Sequence, residues 1–181
     1  DEAEYAKLLT QESDLAGLPD FVRSAARAAA EARGFKDPAA HVITLSRSLL
    51  TPFMTFSESR ELRRELWQAW CLRGERLAAH DNRPLIQEIL RLRHERAQLL
   101  GYSSSAHRAL ADTMAGRPEA VRELLMTVWA PAKARAEAEY NEMLALAKRD
   151  PKQPLASLEA WDWHFWAEKL RAERYALEES V

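Results

Sequence analysis

The sequence predicts an all-α fold, and three observations carry that prediction. Apolar residues recur at three- and four-residue spacing through most of the chain. The glycines (five) and prolines (eight) are few, and most sit where a helix would start or stop. Only residues 41–46, HVITLS, are short and β-branched enough for a strand. The expectation is therefore one helical domain or fragment over 1–181, with at most one short strand or hairpin near 41–56. At 47% hydrophobic and 30% charged residues, the 181-residue chain has a globular composition.

Taken in order, Pro19 opens the first helix, because its missing N–H would be unpaired there anyway. Leu18, Val22, Ala25, Ala29 and Ala32 form its stripe, and Gly34 stops it. A stripe of alanines predicts a closely approaching neighbour. After Pro52, Ser57 caps a second helix with Glu58 and Glu61 in its first turn. Leu62, Leu66, Trp70 and Arg73 mark its face, and Gly74 ends it. Asp81 or Asn82 caps the third, which has Pro84 in its first turn, Leu85, Ile89, Leu92, Arg96 and Leu99 along one side, and Gly101 as its stop. Ser103 to Ala115 reads as a short helix closed by Gly116. Pro118 opens a long helix to about Arg149, with a buried stripe of Val121, Leu125, Val128, Ala132, Ala136 and Met143. Pro131 predicts a kink one turn upstream, and Asp150-Pro151 a stop. Ser157 caps a last helix bearing Trp161, Trp163, Phe165 and Trp166.

Charge narrows the function classes. Lys+Arg (26) and Asp+Glu (28) nearly cancel, leaving a net charge of −2, so nothing favours nucleic acid or an anionic membrane as a partner. No apolar run reaches membrane-span length. The single cysteine, Cys71, excludes an internal disulfide, and its place between Trp70 and Leu72 predicts a buried, inert thiol. The chain opens on Asp1 and not Met, which predicts a removed leader or an excised segment.

The sharpest chemical pattern is His94-Glu95-Arg96-Ala97-Gln98. It falls one residue short of HExxH, in which two histidines one helical turn apart bind zinc and the glutamate acts as general base. Glutamine is a poor zinc ligand, so a solvated helix face of mixed charge is expected. His80-Asp81 could pair a base with its orienting carboxylate, but Asp81 as a helix cap with His80 covering the helix start is the reading preferred. His164 and Glu168, at i and i+4, offer half a metal site or a surface hydrogen bond. His41 and His107 have no partners visible in the sequence. There is no GxSxG elbow and no glycine-rich phosphate loop. Arg60, Arg63 and Arg64 alternate with Glu58, Glu61 and Glu65, and Arg91, Arg93 and Arg96 with Glu88 and Glu95. Such mixtures predict salt-bridged solvent faces. The tryptophans at 161–166 predict core or interface, with a ligand platform as the lesser alternative.

Several runs together resemble the thimet oligopeptidase family of zinc metallopeptidases. Glu12-Ser13-Asp14-Leu15-Ala16-Gly17-Leu18-Pro19 is similar to its DLxGLP segment. Pro52-Phe53-Met54-Thr55-Phe56, Arg60-Glu61-Leu62-Arg63 and Trp67 follow. His80-Asp81-Asn82 through Ile86, Leu90, Leu92-Arg93 and Ala97 to Leu99-Leu100-Gly101-Tyr102 resembles the family's LLGY helix. Met114-Ala115, Pro118 to Val121, Trp161-Asp162, Ala167-Glu168-Lys169 and Tyr175 continue in the same order. The peptidyl-dipeptidase (dipeptidyl carboxypeptidase) branch is the one most resembled.

The resemblance implies a segment of a two-lobed, mostly helical, cytoplasmic or periplasmic enzyme that releases dipeptides from the C-termini of short peptides. It implies zinc in the full-length parent, held by HExxH and a further glutamate downstream of the WD…AEK…Y run. No metal ligand and no catalytic residue is then expected within 1–181, and His94-Glu95 is unrelated to the zinc motif. The motif residues Leu15, Gly17, Leu18, Pro19, Asn82, Leu92, Arg93, Leu99, Leu100, Gly101, Tyr102, Trp161, Asp162 and Tyr175 are expected to be structural. The expected partner is the remainder of the parent peptidase, its catalytic region, with self-association through the Trp161–Trp166 stretch when the segment stands alone. A stand-alone helical interaction module is the alternative.

Overall fold

A computed structural model describes residues 4–75 and 81–175. His80, read above as a base or helix cover, lies outside them. The chain divides into two units, one of residues 1–77 and 140–181, the other of residues 78–139.

The first unit begins with β1 (Lys7–Leu9) and a short 3-10 turn, Glu12–Leu15. Helix α1 (Asp20–Glu31), strand β2 (His41–Ile43) and helices α2 (Arg47–Phe56) and α3 (Arg60–Cys71) follow. Its second stretch holds the end of α6 (Pro118–Lys148), a 3-10 turn at Ala160–Asp162 and α7 (Trp163–Tyr175). β1 pairs antiparallel with β2, Leu8 opposite Val42. The strand expected at 41–46 is therefore present but shorter. Its partner is not local, and KLL is too brief to show alternation. Residues 47–56 are helical. Pro52 sits inside α2 and masked it in the sequence.

The core of this unit gathers Leu9, Leu18, Val22, Ile43, Leu50, Phe53 and Leu66. The buried line of α1 is Val22, Ala26 and Ala30, while Ala25 and Ala32 face solvent. Alanine on every side of α1 left the predicted stripe one residue out of phase. Ser59, not Ser57, caps α3, accepting the Leu62 N–H at 3.3 Å. Ser57 ends α2 and is buried. Cys71 is exposed at the last residue of α3, because the buried line of that helix runs through Arg63, Leu66 and Ala69. Met143, Ala147, Leu158, Phe165 and Trp166 form a second cluster. The tryptophan stretch is divided: Trp166 is buried, Trp161 half-buried and Trp163 exposed. The cap before α7 is a reciprocal pair, Glu159 and Asp162, in place of Ser157.

The second unit holds α4 (Arg83–Leu99), α5 (Ser105–Leu110) and residues 118–139 of α6. Ser104 caps α5, which is shorter than the predicted Ser103–Ala115. The Asp81 side chain accepts the Arg83 N–H at 3.0 Å at the start of α4. Pro131 lies within α6, which continues through it as a single helix. Ala97 is the only buried residue of this unit among the described ones. The predicted stripes Leu85, Ile89, Leu92, Leu99 and Leu125, Val128 are exposed, because nothing described in this unit covers them.

Candidate functional site

The most constrained polar constellation lies in the first unit, between α3 and the turn that starts α7. Arg63 lies on the buried line of α3, and its side chain is 2% exposed; the Asp162 side chain is fully buried. Arg63 Nη2 donates to Asp162 Oδ1 at 3.1 Å, and Nη1 to the Ser57 carbonyl at 2.6 Å. Arg63 Nε reaches the Trp161 carbonyl at 3.3 Å. Its guanidinium lies 4.2 Å from the Phe165 ring centroid, a cation–π contact. One turn earlier, Arg60 binds the same carboxylate through Nη2 at 2.7 Å and Nε at 3.1 Å. The Glu159 N–H adds a fourth donor to the carboxylate at 3.0 Å.

The electrostatics follow from this geometry. Burial pushes the Asp162 carboxyl up, but the hydrogen bonds from Arg60, the Glu159 backbone and Arg63 together hold it below its ordinary value. The bonds to Asp162 push Arg60 up against its own burial. Burial lowers Arg63 in spite of Asp162. Arginine begins so basic that both guanidinia stay charged at neutral pH. With both oxygens of Asp162 occupied, the carboxylate has no lone pair directed at a substrate and acts as a clamp, not as an acid or base. This corrects the expected solvent face: only Arg64, paired with Glu61 at 2.6 Å, behaves that way, whereas Arg60 and Arg63 turn inward.

The DLxGLP residues join the same unit. Leu15 and Leu18 are core, and Pro19 precedes α1. Gly17 has φ +80°, and a Cβ there would stand 2.4 Å from the Phe56 carbonyl oxygen. Glu58 N–H donates to the Ala16 carbonyl at 3.0 Å, fixing that close approach. Trp161 packs edge-on against Trp67, 5.6 Å between ring centroids. Tyr175 ends α7, exposed. Asn82, Leu92, Arg93, Leu99, Leu100, Gly101 and Tyr102 belong to the second unit, on α4 and its ends.

A cleft of about 580 Å³ opens between α2, α3 and the start of α7, lined by Arg47, Met54, Trp67, Trp70, Trp163 and His164. The half metal site does not form: Glu168 is committed to Arg171 at 2.7 and 2.8 Å. His41 Nδ1 lies 3.0 Å from the Ala39 carbonyl, and His107 Nδ1 2.8 Å from Ser104 Oγ. No group of three His, Cys, Asp or Glu residues able to hold a metal ion occurs among the described residues. The zinc that the resemblance implies therefore does not fit these residues.

The sequence profile of Peptidase family M3 matches residues 53–181, more than half of the chain. The chain belongs to peptidase family M3. This M3 chain is 35% identical to oligopeptidase A of Salmonella typhimurium across 96% of its own length. It is 32% identical to dipeptidyl carboxypeptidase of the same organism across 92%, and 31% identical to organellar oligopeptidase A of Arabidopsis thaliana across 97%. These identities do not separate the two branches. The chain spans only 25%, 24% and 22% of those relatives' lengths. No described helix is long and apolar enough to cross a membrane.

Sequence reasoning named Asp162 but not its pairing with Arg60, Arg63 and the Glu159 N–H, nor the Ser57 carbonyl that Arg63 also holds. A signal was present. Arg63 shares a helical line with Leu66, Trp67 and Trp70, and a charge inside an apolar line needs a buried counter-charge.

Proposed function

We propose that this chain is a non-catalytic helical segment of a zinc peptidase acting on short peptides. In the whole enzyme it forms part of one lobe and one wall of the substrate channel. The metal, its ligands and the general base come from polypeptide outside residues 1–181. The Arg60–Arg63–Asp162 clamp and the Gly17 approach give the segment a rigid frame, and the motif residues serve that frame. One observation carries this reading: nearly the whole chain aligns with about a quarter of full-length peptidases, and its sequence contains no HExxH.

The finer reading is release of dipeptides from free C-termini, in the cytoplasm or periplasm. The test is to express the full-length gene product and offer it N-blocked tetrapeptides with free or amidated C-termini, with and without a zinc chelator. Dipeptide release from the free acid alone, lost with chelator and restored by zinc, is expected. Equal cleavage of the amide points to an oligopeptidase that ignores the C-terminus. A gene without HExxH supports the alternative, an interaction module, which the exposed apolar helices of the second unit favour.

A further inference from the structure

A second recess opens within the first unit, beside the clamp. Its volume is about 150 Å³, below the ~300 Å³ at which sites for drug-sized molecules begin. Four cations line it: Arg60 and Arg63 of α3, Lys152 of the loop after α6, and Lys169 of α7. Two carboxylates line it too, Glu58 and Asp150. Glu58 answers Lys152 at 2.9 Å. Asp150 Oδ1 accepts the Lys152 and Gln153 backbone N–H groups, both at 2.8 Å. Asp162 already holds both arginines with both of its oxygens. Lys169 is left over, for its ammonium makes no hydrogen bond or ion pair with any described residue.

The Lys169 ammonium lies 5.2 Å from the Phe165 ring centroid and the Arg63 guanidinium 4.2 Å from the same one, so two cations share one ring. Arg60 spends Nε and Nη2 on Asp162, and its Nη1 donates to no described residue. Trp166 stands three residues before Lys169 on α7 and lines the same recess. It is only 4% exposed, yet its indole N–H finds no acceptor among the described residues. A buried donor left without an acceptor is costly. Water would satisfy that N–H but not the surplus of positive charge, whereas an oxyanion answers both. We propose that this recess binds a small inorganic oxyanion of the phosphate type, held by the Trp166 Nε1–H, the Lys169 ammonium and the free Nη1 of Arg60. Arg60 belongs to one stretch of the first unit, Trp166 and Lys169 to the other, so the anion adds a second link between them. The proposal does not rest on the peptidase reading.

The test titrates the full-length gene product with sodium phosphate in a calorimeter, at constant ionic strength with chloride as the balancing anion. A saturable phosphate site is expected, and saturation should raise the thermal midpoint. Lys169→Met keeps the apolar stem and removes the charge. It should weaken the site at least about five-fold, the scale of a hydrogen bond to a charged group. Trp166→Phe keeps a ring and removes the N–H, and should weaken it at least about two-fold. Lys133→Met is the control for bulk charge. Lys133 belongs to the second unit, where it is exposed and paired with Glu137, and its loss should leave the affinity unchanged. Absence of phosphate binding in the wild type overturns the proposal, and so does binding that Lys169→Met does not weaken. Equal weakening by Lys169→Met and Lys133→Met overturns it too, since that marks a general attraction for anions. If Trp166→Phe fails to fold, Lys169→Met decides alone, because that side chain is exposed. A full-length protein that binds phosphate here and cleaves no peptide would sink the peptidase reading and leave this one standing.

Discussion

Arg63 and Asp162 are 99 residues apart in the chain and 3.1 Å apart in space, both shielded from water. They tie the two separate stretches of the first unit, residues 1–77 and 140–181, to each other. With Arg60 on the same carboxylate, the clamp sets where α7 begins relative to α3. A buried pair of this kind is weak evidence of net stability, but breaking one partner is expensive.

Asp162→Ala is therefore expected to destabilise the first unit by about 3–5 kcal/mol, because it strands the Arg63 charge in the interior. Urea titration followed by tryptophan fluorescence reads the change, since Trp161 and Trp166 flank the clamp. Arg64→Ala is the control. Its exposed pair with Glu61 predicts a change within about 0.5 kcal/mol. Equal effects from the two substitutions would show that the clamp is energetically idle.

The same carboxylate gives a pH dependence of defined sign. An unfolded aspartate titrates near about pH 3.9, and folded Asp162 is held lower by its donors. A depressed carboxyl contributes stability that is full above the unfolded value and lost as pH falls through the folded one. The stability gap between the wild type and Asp162→Asn should therefore be flat from about pH 5 to 7 and narrow below about pH 4. Denaturant midpoints across that range measure it. A gap that widens on acidification would contradict the assignment.

Gly17 and Gly34 separate strain from collision. Both have positive φ, +80° and +84°, and both belong to the first unit. A Cβ on Gly34 meets nothing within 4 Å, whereas one on Gly17 meets the Phe56 carbonyl oxygen at 2.4 Å. Gly34→Ala should cost about 1 kcal/mol from backbone strain alone. Gly17→Ala adds a clash with backbone and should cost at least about 2 kcal/mol. Similar thermal midpoints for the two variants would refute the close approach.

Much of this was legible in the sequence, for identifiable reasons. Helical spacing and the glycines at 34, 74 and 101 placed α1, α3 and α4, because a positive-φ stop is nearly a glycine monopoly. Three features were not legible. Alanine on all sides of α1 carries no phase information. Pro52 argued against a helix that its surroundings nevertheless enforce. Arg63 looked like a member of a charged surface because spacing alone does not reveal a partner 99 residues away. The apolar line Leu85, Ile89, Leu92 and Leu99 of α4 was legible, but a sequence pattern does not say whether the covering surface is part of the same segment.

The last prediction concerns the near-miss zinc motif. Gln98→His would complete HExxH in sequence, yet the structure gives Gln98 a different task. Its Nε2 donates to the Tyr102 and Ser103 carbonyls at 3.2 and 3.1 Å, tying the turn that follows α4 back to the helix. Glu95, which would be the general base, is held by Arg91 at 2.5 Å. A third ligand is missing as well: no suitable trio of His, Cys, Asp or Glu occurs among the described residues. Catalytic zinc needs three protein ligands and an open position. The Gln98→His chain should therefore retain no stoichiometric zinc after dialysis and gain no peptidase activity, while the turn at 100–103 loosens as the Tyr102 and Ser103 carbonyls lose their donor. Elemental analysis, a quenched-peptide assay and amide exchange at Leu100–Tyr102 read the three outcomes. One zinc held per chain would show that two histidines at this spacing recruit further ligands, and the view of His94 as a solvated surface residue would fall with it.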